Sequence, residues 1–411
     1  MTIAILNILL ILFYFLFNIR KGIRIFSPFL YPFFSFALSY SIPLIVYHVI
    51  YKEKIYENAI LVQNLGIVSF FVGVLLYYIL TRKKEQLDLT NTYSTIHKTT
   101  AWLFLFIGIS LMLFYGFYTN MIILILQNKD VEDLRRKVEI GLGIIKTPAI
   151  FFIQFSIGIL FAYRIVRKKS IITFLIFILL FILLIFLSTG HRGPALFLIP
   201  FCLAIYNKYK KISVIKLTIL VLILMSIAMG MGSLRRGGGI NNIISKPLNY
   251  LIYQSIIYRI NFVRMVDLVD NKIVTLLYGK EYISDATYII PRVIWKKKPL
   301  GFDYFYKEKL GYRFAGGGTP VGVFGSLYAN FWYPGVIIGS FLIGVLYSLF
   351  YRRYIYSNNI TYSIIYFLNM IYIIDVSSLL RNLEILFIFY FSMLFVDQLL
   401  FFSKRGIRRT K

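Results

Sequence analysis

Apolar residues in this chain run in blocks of about twenty, with neither the twofold alternation of a half-buried strand nor the 3.6-residue rhythm of a surface helix. A block of that length spans a hydrocarbon core as a helix, the one open-ended structure that satisfies its own backbone hydrogen bonds where water is absent. The expected fold class is therefore all-α, a polytopic integral membrane protein. Composition agrees: 59% of the 411 residues are hydrophobic and 15% are charged.

The blocks predict about eleven spans, near residues 3–18, 28–50, 59–80, 101–126, 148–163, 171–187, 194–206, 214–231, 319–350, 360–376 and 385–402. The first carries no basic leader and no small-residue cleavage site, so it is expected to stay as a span with its N-terminus outside. Net charge is +28, which in a soluble chain would suggest nucleic acid. Here the basic residues first need sorting by side of the membrane. Short clusters at Arg20, Lys21 and Arg24, at Arg82 to Lys84, at Arg167 to Lys169, at Lys208 to Lys211, at Arg352 and Arg353, and in the tail from Lys404 fall on one side when the spans alternate. The positive-inside bias makes that side cytoplasmic, and no nucleic-acid partner is implied.

Two long segments fall outside: 127–147, and Gly232 to Gly318. The larger holds fourteen lysines or arginines against six acids and is rich in aromatic and aliphatic residues, unlike a linker. The expected organisation is a first bundle over 1–231, an external loop over 232–318 and a C-terminal bundle over 319–411. Within the loop, Leu248, Leu251, Ile252, Ser255, Ile256, Arg259, Phe262, Val263 and Val266 suggest an amphipathic helix over 247–269, at a membrane interface or simply on the protein surface. The block at 319–350 is too long for one ordinary span and is punctuated by Pro320, Gly322, Gly325, Pro334 and Gly335. A bent or re-entrant stretch from Gly322 to Trp332, then a span from Gly335, fits this better.

Chemistry is sparse. Cys202 is alone, and His48, His97 and His191 show no ligand spacing, so neither a metal nor a cofactor is expected. Ser188-Thr189-Gly190-His191-Arg192-Gly193-Pro194 is a turn too short to hold more than its own polar residues. Arg192 therefore sits at the outer boundary, where it either snorkels to the interface or grips an anion with its planar fork. Arg235 and Arg236 beside Gly237 to Gly239, and Arg292 in Pro291 to Pro299 with Lys298, repeat that chemistry on the same expected side. Gly316, Gly317 and Gly318 follow. A phosphate-bearing ligand at the outer lipid boundary suits such groups.

Three stretches resemble the bacterial oligosaccharide repeat-unit polymerases of the Wzy type, which build O-antigen, capsule and exopolysaccharide. They are Thr-Gly-His-Arg-Gly-Pro (189–194), Pro-Arg-Val-Ile-Trp-Lys-Lys-Lys-Pro (291–299) and Gly-Val-Phe-Gly-Ser-Leu-Tyr-Ala-Asn-Phe-Trp-Tyr-Pro-Gly (322–335), with the span count and the late external loop. Lys296 stands where that family commonly has proline, Trp332-Tyr333-Pro334 replaces a simple glycine step, and His191 stands where a small residue is more familiar.

The resemblance implies glycosyl transfer between undecaprenyl-pyrophosphate-linked repeat units on the outer face of the cytoplasmic membrane, without a metal. Arg192, Arg235, Arg236 and Arg292 would stabilise the pyrophosphate leaving group. His191 would either take the acceptor proton or merely orient Arg192, with Glu281 and Asp285 as acidic alternatives for the base. Arg259, Lys298, Gly316 to Gly318, Tyr328 and Asn330 would contact substrate. A membrane-bound chain-length regulator is an implied partner. An O-antigen ligase would need the same outer arginines; a lipid-linked oligosaccharide flippase would show internal repeats and charges deep within spans, and neither is seen.

Overall fold

The computed structural model describes residues 27–28, 31–36, 56–81, 95–127, 129–170, 172–210, 223, 226–227, 230–232, 234, 260–287, 290, 294–299, 309, 321–357 and 360–375. The chain is mostly helical, with no strand among the described residues. In order, the helices are α1 (Tyr31–Phe36), α2 (Glu57–Leu80), α3 (Thr95–Tyr118), α4 (Met121–Leu126), α5 (Glu132–Val166), α6 (Ile172–Thr189), α7 (Arg192–Leu196), α8 (Leu198–Tyr209), α9 (residues 260–270), α10 (Lys280–Ala286), α11 (Gly322–Tyr356) and α12 (Ile360–Asp375).

Among the described residues, four helices are long and apolar enough to cross a membrane: α2, Lys98–Tyr118 of α3, Ile145–Val166 of α5, and α11. At 1.5 Å per residue the 24 residues of α2 extend about 36 Å, more than the roughly 30 Å of hydrocarbon. Their outward faces carry Leu61, Val68, Val72, Leu75 and Ile79 on α2 and Trp102, Leu103 and Phe106 on α3, all exposed. Such a surface is stable against lipid chains and costly against water. This is a membrane protein.

The chain divides into two compact units that interleave in sequence. One comprises Met1–Glu85, Lys246–Arg353 and Phe367–Leu383; the other Gln86–Ser245, Tyr354–Tyr366 and Glu384–Lys411. In the first, α2 runs parallel to the part of α11 that follows Trp332, and the two touch through glycine. A Cβ at Gly73 would fall under 3.0 Å from the carbonyl oxygen of Phe341, and one at Gly344 equally close to that of Phe70. Small residues let apolar helices approach to backbone distance, where dispersion and Cα–H···O contacts replace the hydrophobic drive that lipid does not supply. Phe70 also meets Phe36 edge-on at 5.2 Å, and at the C-terminal ends Arg352 Nη1 donates to Thr81 O at 3.0 Å.

In the second unit α3 and α5 are antiparallel. A Cβ at Gly108 would press on Ile153, and Lys98 lies over the Tyr163 ring at 5.3 Å. Arg164 lies over Phe174, so Lys98, Arg164 and the start of α6 share one end, while Gly116 meets Ser188 at the other. Lys208 donates to Ser357 O (2.9 Å) and Ser363 Oγ (2.6 Å), and Tyr354 donates to Ala204 O (2.7 Å).

Several expectations change. The span near 101–126 stops at Tyr118, because Thr119 and Asn120 form a turn with Asn120 at φ 56, and α4 follows separately. The stretch 127–147 is not a loop: α5 begins at Glu132 and continues through Pro148 into the apolar segment. The block near 194–206 is two short helices, α7 and α8. In the large loop, α9 is described over 260–270 and buries Phe262, Met265, Val266 and Val269 on one face, while residues 247–259 of the expected amphipathic helix lie outside the described residues. Residues 3–18, 385–402 and most of 28–50 and 214–231 lie outside the described residues.

Candidate functional site

The turn after α6 is built by its own sequence. Gly190 takes φ 65, a left-handed conformation that glycine adopts without strain, and its N–H returns to Phe186 O at 2.7 Å, closing the helix. Thr189 Oγ1 donates to Ile185 O (2.6 Å) and accepts the backbone N–H of His191 (3.0 Å), turning the chain outward. Gln154, fully buried on α5, donates to Pro194 O at 3.1 Å and fixes the far side. His191 and Arg192 are thereby held half-buried on a rigid turn, and a Cβ at Gly193 would meet open space.

Lys146 of α5 joins them, its Nζ 3.4 Å from His191 Nε2. An ammonium has donors and no acceptor, so a hydrogen bond between them needs Nε2 to accept. Lysine, histidine and arginine thus share one corner of the second unit. No local pattern could have named Lys146, which lies 45 residues away from His191.

A different polar centre lies in the first unit, at a break in α11. Phe331 (φ −140, ψ 16) and Trp332 (φ 57, ψ −148) leave helical geometry just before Pro334, where the glycine and proline pattern marks a bend. The break frees the carbonyls of Ala329 and Asn330, the latter because Pro334 has no N–H to offer. Leu277 N–H and Tyr278 N–H bond them at 3.0 and 3.1 Å. Asn330, with no exposed surface, then ties loop to helix: Oδ1 accepts Gly279 N–H (3.0 Å) and Nδ2 donates to Glu281 Oε2 (2.6 Å) and to Ser326 O (2.9 Å). Ser326 Oγ donates to the same Glu281 oxygen at 2.8 Å.

Beside it, Asp270 at the end of α9 gathers four neutral donors. Oδ2 accepts from Asn58 Nδ2 (2.7 Å) and Tyr56 Oη (3.0 Å), and Oδ1 from Tyr328 Oη and, at 3.4 Å, from Trp332 Nε1. Burial pushes the Tyr56 phenol above its ordinary value, and the hydrogen bond to Asp270 and that residue's charge add to the effect. Trp332 packs on Tyr333 at 5.0 Å, and Tyr333 meets Tyr328 edge-on at 5.2 Å.

The expected site residues fall in both units. His191 and Arg192 adjoin each other; Tyr328 and Asn330 belong to the carboxylate centre. Lys298 is buried, its Nζ donating to Thr287 O (2.6 Å) and Ile290 O (3.1 Å), so its charge serves the carbonyls that follow α10. Arg235, Arg236, Arg259, Arg292 and Gly316 to Gly318 lie outside the described residues, as does the side chain of Asp285. Asp270, Asn58 and Tyr56 escaped the sequence reading because their partners are more than 200 residues apart. Compared with known proteins, the chain matches no family model, no curated protein and no solved structure.

Proposed function

We propose that this chain is a polysaccharide polymerase, a glycosyltransferase that joins undecaprenyl-pyrophosphate-linked oligosaccharide repeat units on the outer face of the cytoplasmic membrane. The observation that carries the reading is the Lys146, His191 and Arg192 corner, held rigidly at the junction of apolar helices. Two fixed cations at such a boundary suit a pyrophosphate whose lipid tail lies among the helices.

The reaction forms a bond between an acceptor sugar hydroxyl and the anomeric carbon of the donor glycan. It breaks the bond from that carbon to the pyrophosphate oxygen, and the hydroxyl proton leaves to a base. Negative charge grows on the departing pyrophosphate, where Arg192 and Lys146 are assigned to stabilise it; loss of one such donor costs on the order of 10²-fold in rate in other enzymes. His191, its Nε2 engaged by Lys146, orients that cation instead of taking the proton in this arrangement. Arg235, Arg236 and Arg292 are assigned to the same anion by their sequence context.

The full topology, about eleven spans with the C-terminus inside, belongs to this proposal. It is supported within each unit. Arg352 and Thr81, both beside expected inner clusters, share an end of the first; Lys98, Arg164 and Arg167 share an end of the second.

Deleting the gene in the producing bacterium tests the reading through the length of its surface polysaccharide. Single repeat units in place of long chains are expected. Polymer of normal length accumulating on the lipid carrier would indicate a ligase instead, and unchanged polysaccharide would refute both.

A further inference from the structure

Asp270 is partly buried, and its hydrogen-bond partners among the described residues are two phenols, an amide and an indole. No lysine or arginine of the described residues neutralises it. A structural carboxylate in a chain with 45 basic residues has many cations available for pairing. Its charge is unpaired by any of these donors, and the acceptor position held by the distant Trp332 indole is the one an approaching hydroxyl can take.

What borders it is aromatic. Trp332 is 47% exposed, and Tyr278, at 71%, and Phe331, at 41%, flank the same break in α11. Trp332 sits at φ 57, a left-handed conformation that is strained for a non-glycine residue and that the surrounding packing must impose. The result is an indole held by the backbone beside the carboxylate, its N–H at 3.4 Å, too long for a strong bond and readily exchanged. Asn58 spends its amide donors on Asp270 (2.7 Å) and on the Tyr56 hydroxyl (3.4 Å), which leaves its Oδ1 as the acceptor beside the carboxylate.

Rigid aromatic faces beside an array of acceptors match an amphipathic ligand with one apolar C–H face and several hydroxyl donors around its edge. A pyranose ring has that form. A bilayer headgroup does not explain the centre, because membrane-interface tryptophans need no carboxylate beneath them and phospholipid phosphates are repelled by one. We propose that Trp332, Asp270, Asn58 and Tyr56 form a subsite for one sugar ring of the glycan, the ring stacked on the indole and its hydroxyls bonded to the Asp270 and Asn58 oxygens. This rests on the polysaccharide reading above and adds to it a place where the sugar, and not the pyrophosphate, is recognised.

The test uses the full chain in lipid nanodiscs and, as probe, an oligosaccharide freed of lipid and phosphate by mild acid from the producing strain's own polysaccharide. Of the three tryptophans, Trp102→Phe and Trp295→Phe leave Trp332 as the sole emitter. The oligosaccharide is expected to shift its emission saturably. By calorimetry, Trp332→Ala, Asp270→Asn and Asn58→Ala each weaken binding about tenfold or more, the scale of losing one stacked or bonded group, while Trp332→Tyr stays within about threefold. An absent shift, unchanged affinity in Trp332→Ala, or quenching of Trp332 by brominated acyl chains but not by sugar would overturn the subsite. If Asp270→Asn or Asn58→Ala fails to assemble, the exposed Trp332→Ala and Trp332→Tyr pair decides alone. The same nanodiscs given lipid-linked oligosaccharide separate the two claims. Oligosaccharide binding without chain extension leaves the subsite standing and removes the polymerase, whereas extension with sugar affinity unchanged in the Trp332→Ala variant does the reverse.

Discussion

Asn330 is the residue whose loss the structure makes most costly for its size. Its side-chain amide makes three bonds in a fully buried setting: to Glu281, to Ser326 O and from Gly279 N–H. Asn330→Ala removes one of the donors that hold the buried Glu281 carboxylate and leaves the Gly279 amide without its acceptor. An orphaned buried group costs about 1–3 kcal/mol, more when charged, and the part-buried Gly279 amide adds less, so the two together amount to roughly 2–4 kcal/mol. Asn330→Asp is more diagnostic, because it sets a second carboxylate at the 2.6 Å position. Two carboxylates that close cannot both be ionised. A carboxyl forced to keep its proton in the fold destabilises it as pH rises above the ordinary carboxyl range, so this variant should lie far below wild type at pH 7 and approach it toward pH 4. Denaturant unfolding in detergent, with proteolysis of the 277–286 segment as a local readout, measures both. The reasoning is refuted if Asn330→Ala unfolds within about 0.5 kcal/mol of wild type, the range of an ordinary surface change, or if the Asn330→Asp deficit is flat with pH.

Three further outcomes follow from the packing. Gly344→Ala should destabilise by about 1–3 kcal/mol or more, since its Cβ meets the immovable Phe70 carbonyl, whereas Gly193→Ala faces open space and should leave the detergent melting temperature unchanged. Lys298→Met should cost about 1–3 kcal/mol in unfolding free energy by stranding the carbonyls of Thr287 and Ile290; polymer formed per folded molecule should be unaltered. Tyr56 has a raised folded value, so its contribution is complete below the ordinary phenol value near 10 and is lost as pH climbs through the raised one. A melting series from pH 8 to pH 12 should therefore fall less steeply for Tyr56→Phe than for wild type.

The fold class was legible in the sequence because lipid leaves so few alternatives. Twenty apolar residues in a row mean a helix whatever their order, and Pro334 with its neighbouring glycines marked the break in α11. The end of α3 was not legible: the apolar run continues through Met121 to Leu126, while Asn120 turns the backbone. Nor was the start of α5, where polar residues from Glu132 read as a loop but continue one helix into the span. Among the candidate site residues, His191 and Arg192 could be named because a seven-residue turn between apolar blocks has little else to contain. Lys298 stood in an equally basic, proline-flanked stretch, and only its burial against two carbonyls reveals a structural task. Asp270 looked like any of six acids in a basic loop. Its significance comes from Tyr56 and Asn58, delivered from the far end of the chain by α2.

The central claim is that this membrane protein joins lipid-linked glycans. Purified protein in liposomes, supplied with the producing strain's undecaprenyl-pyrophosphate repeat unit and no other enzyme, measures it directly by gel analysis of chain length. The account predicts a ladder of products with release of undecaprenyl pyrophosphate, absent in Arg192→Ala and barely restored in Arg192→Lys, which keeps the charge but loses the planar fork. Repeat units that remain single in the presence of correctly folded wild-type protein would contradict it.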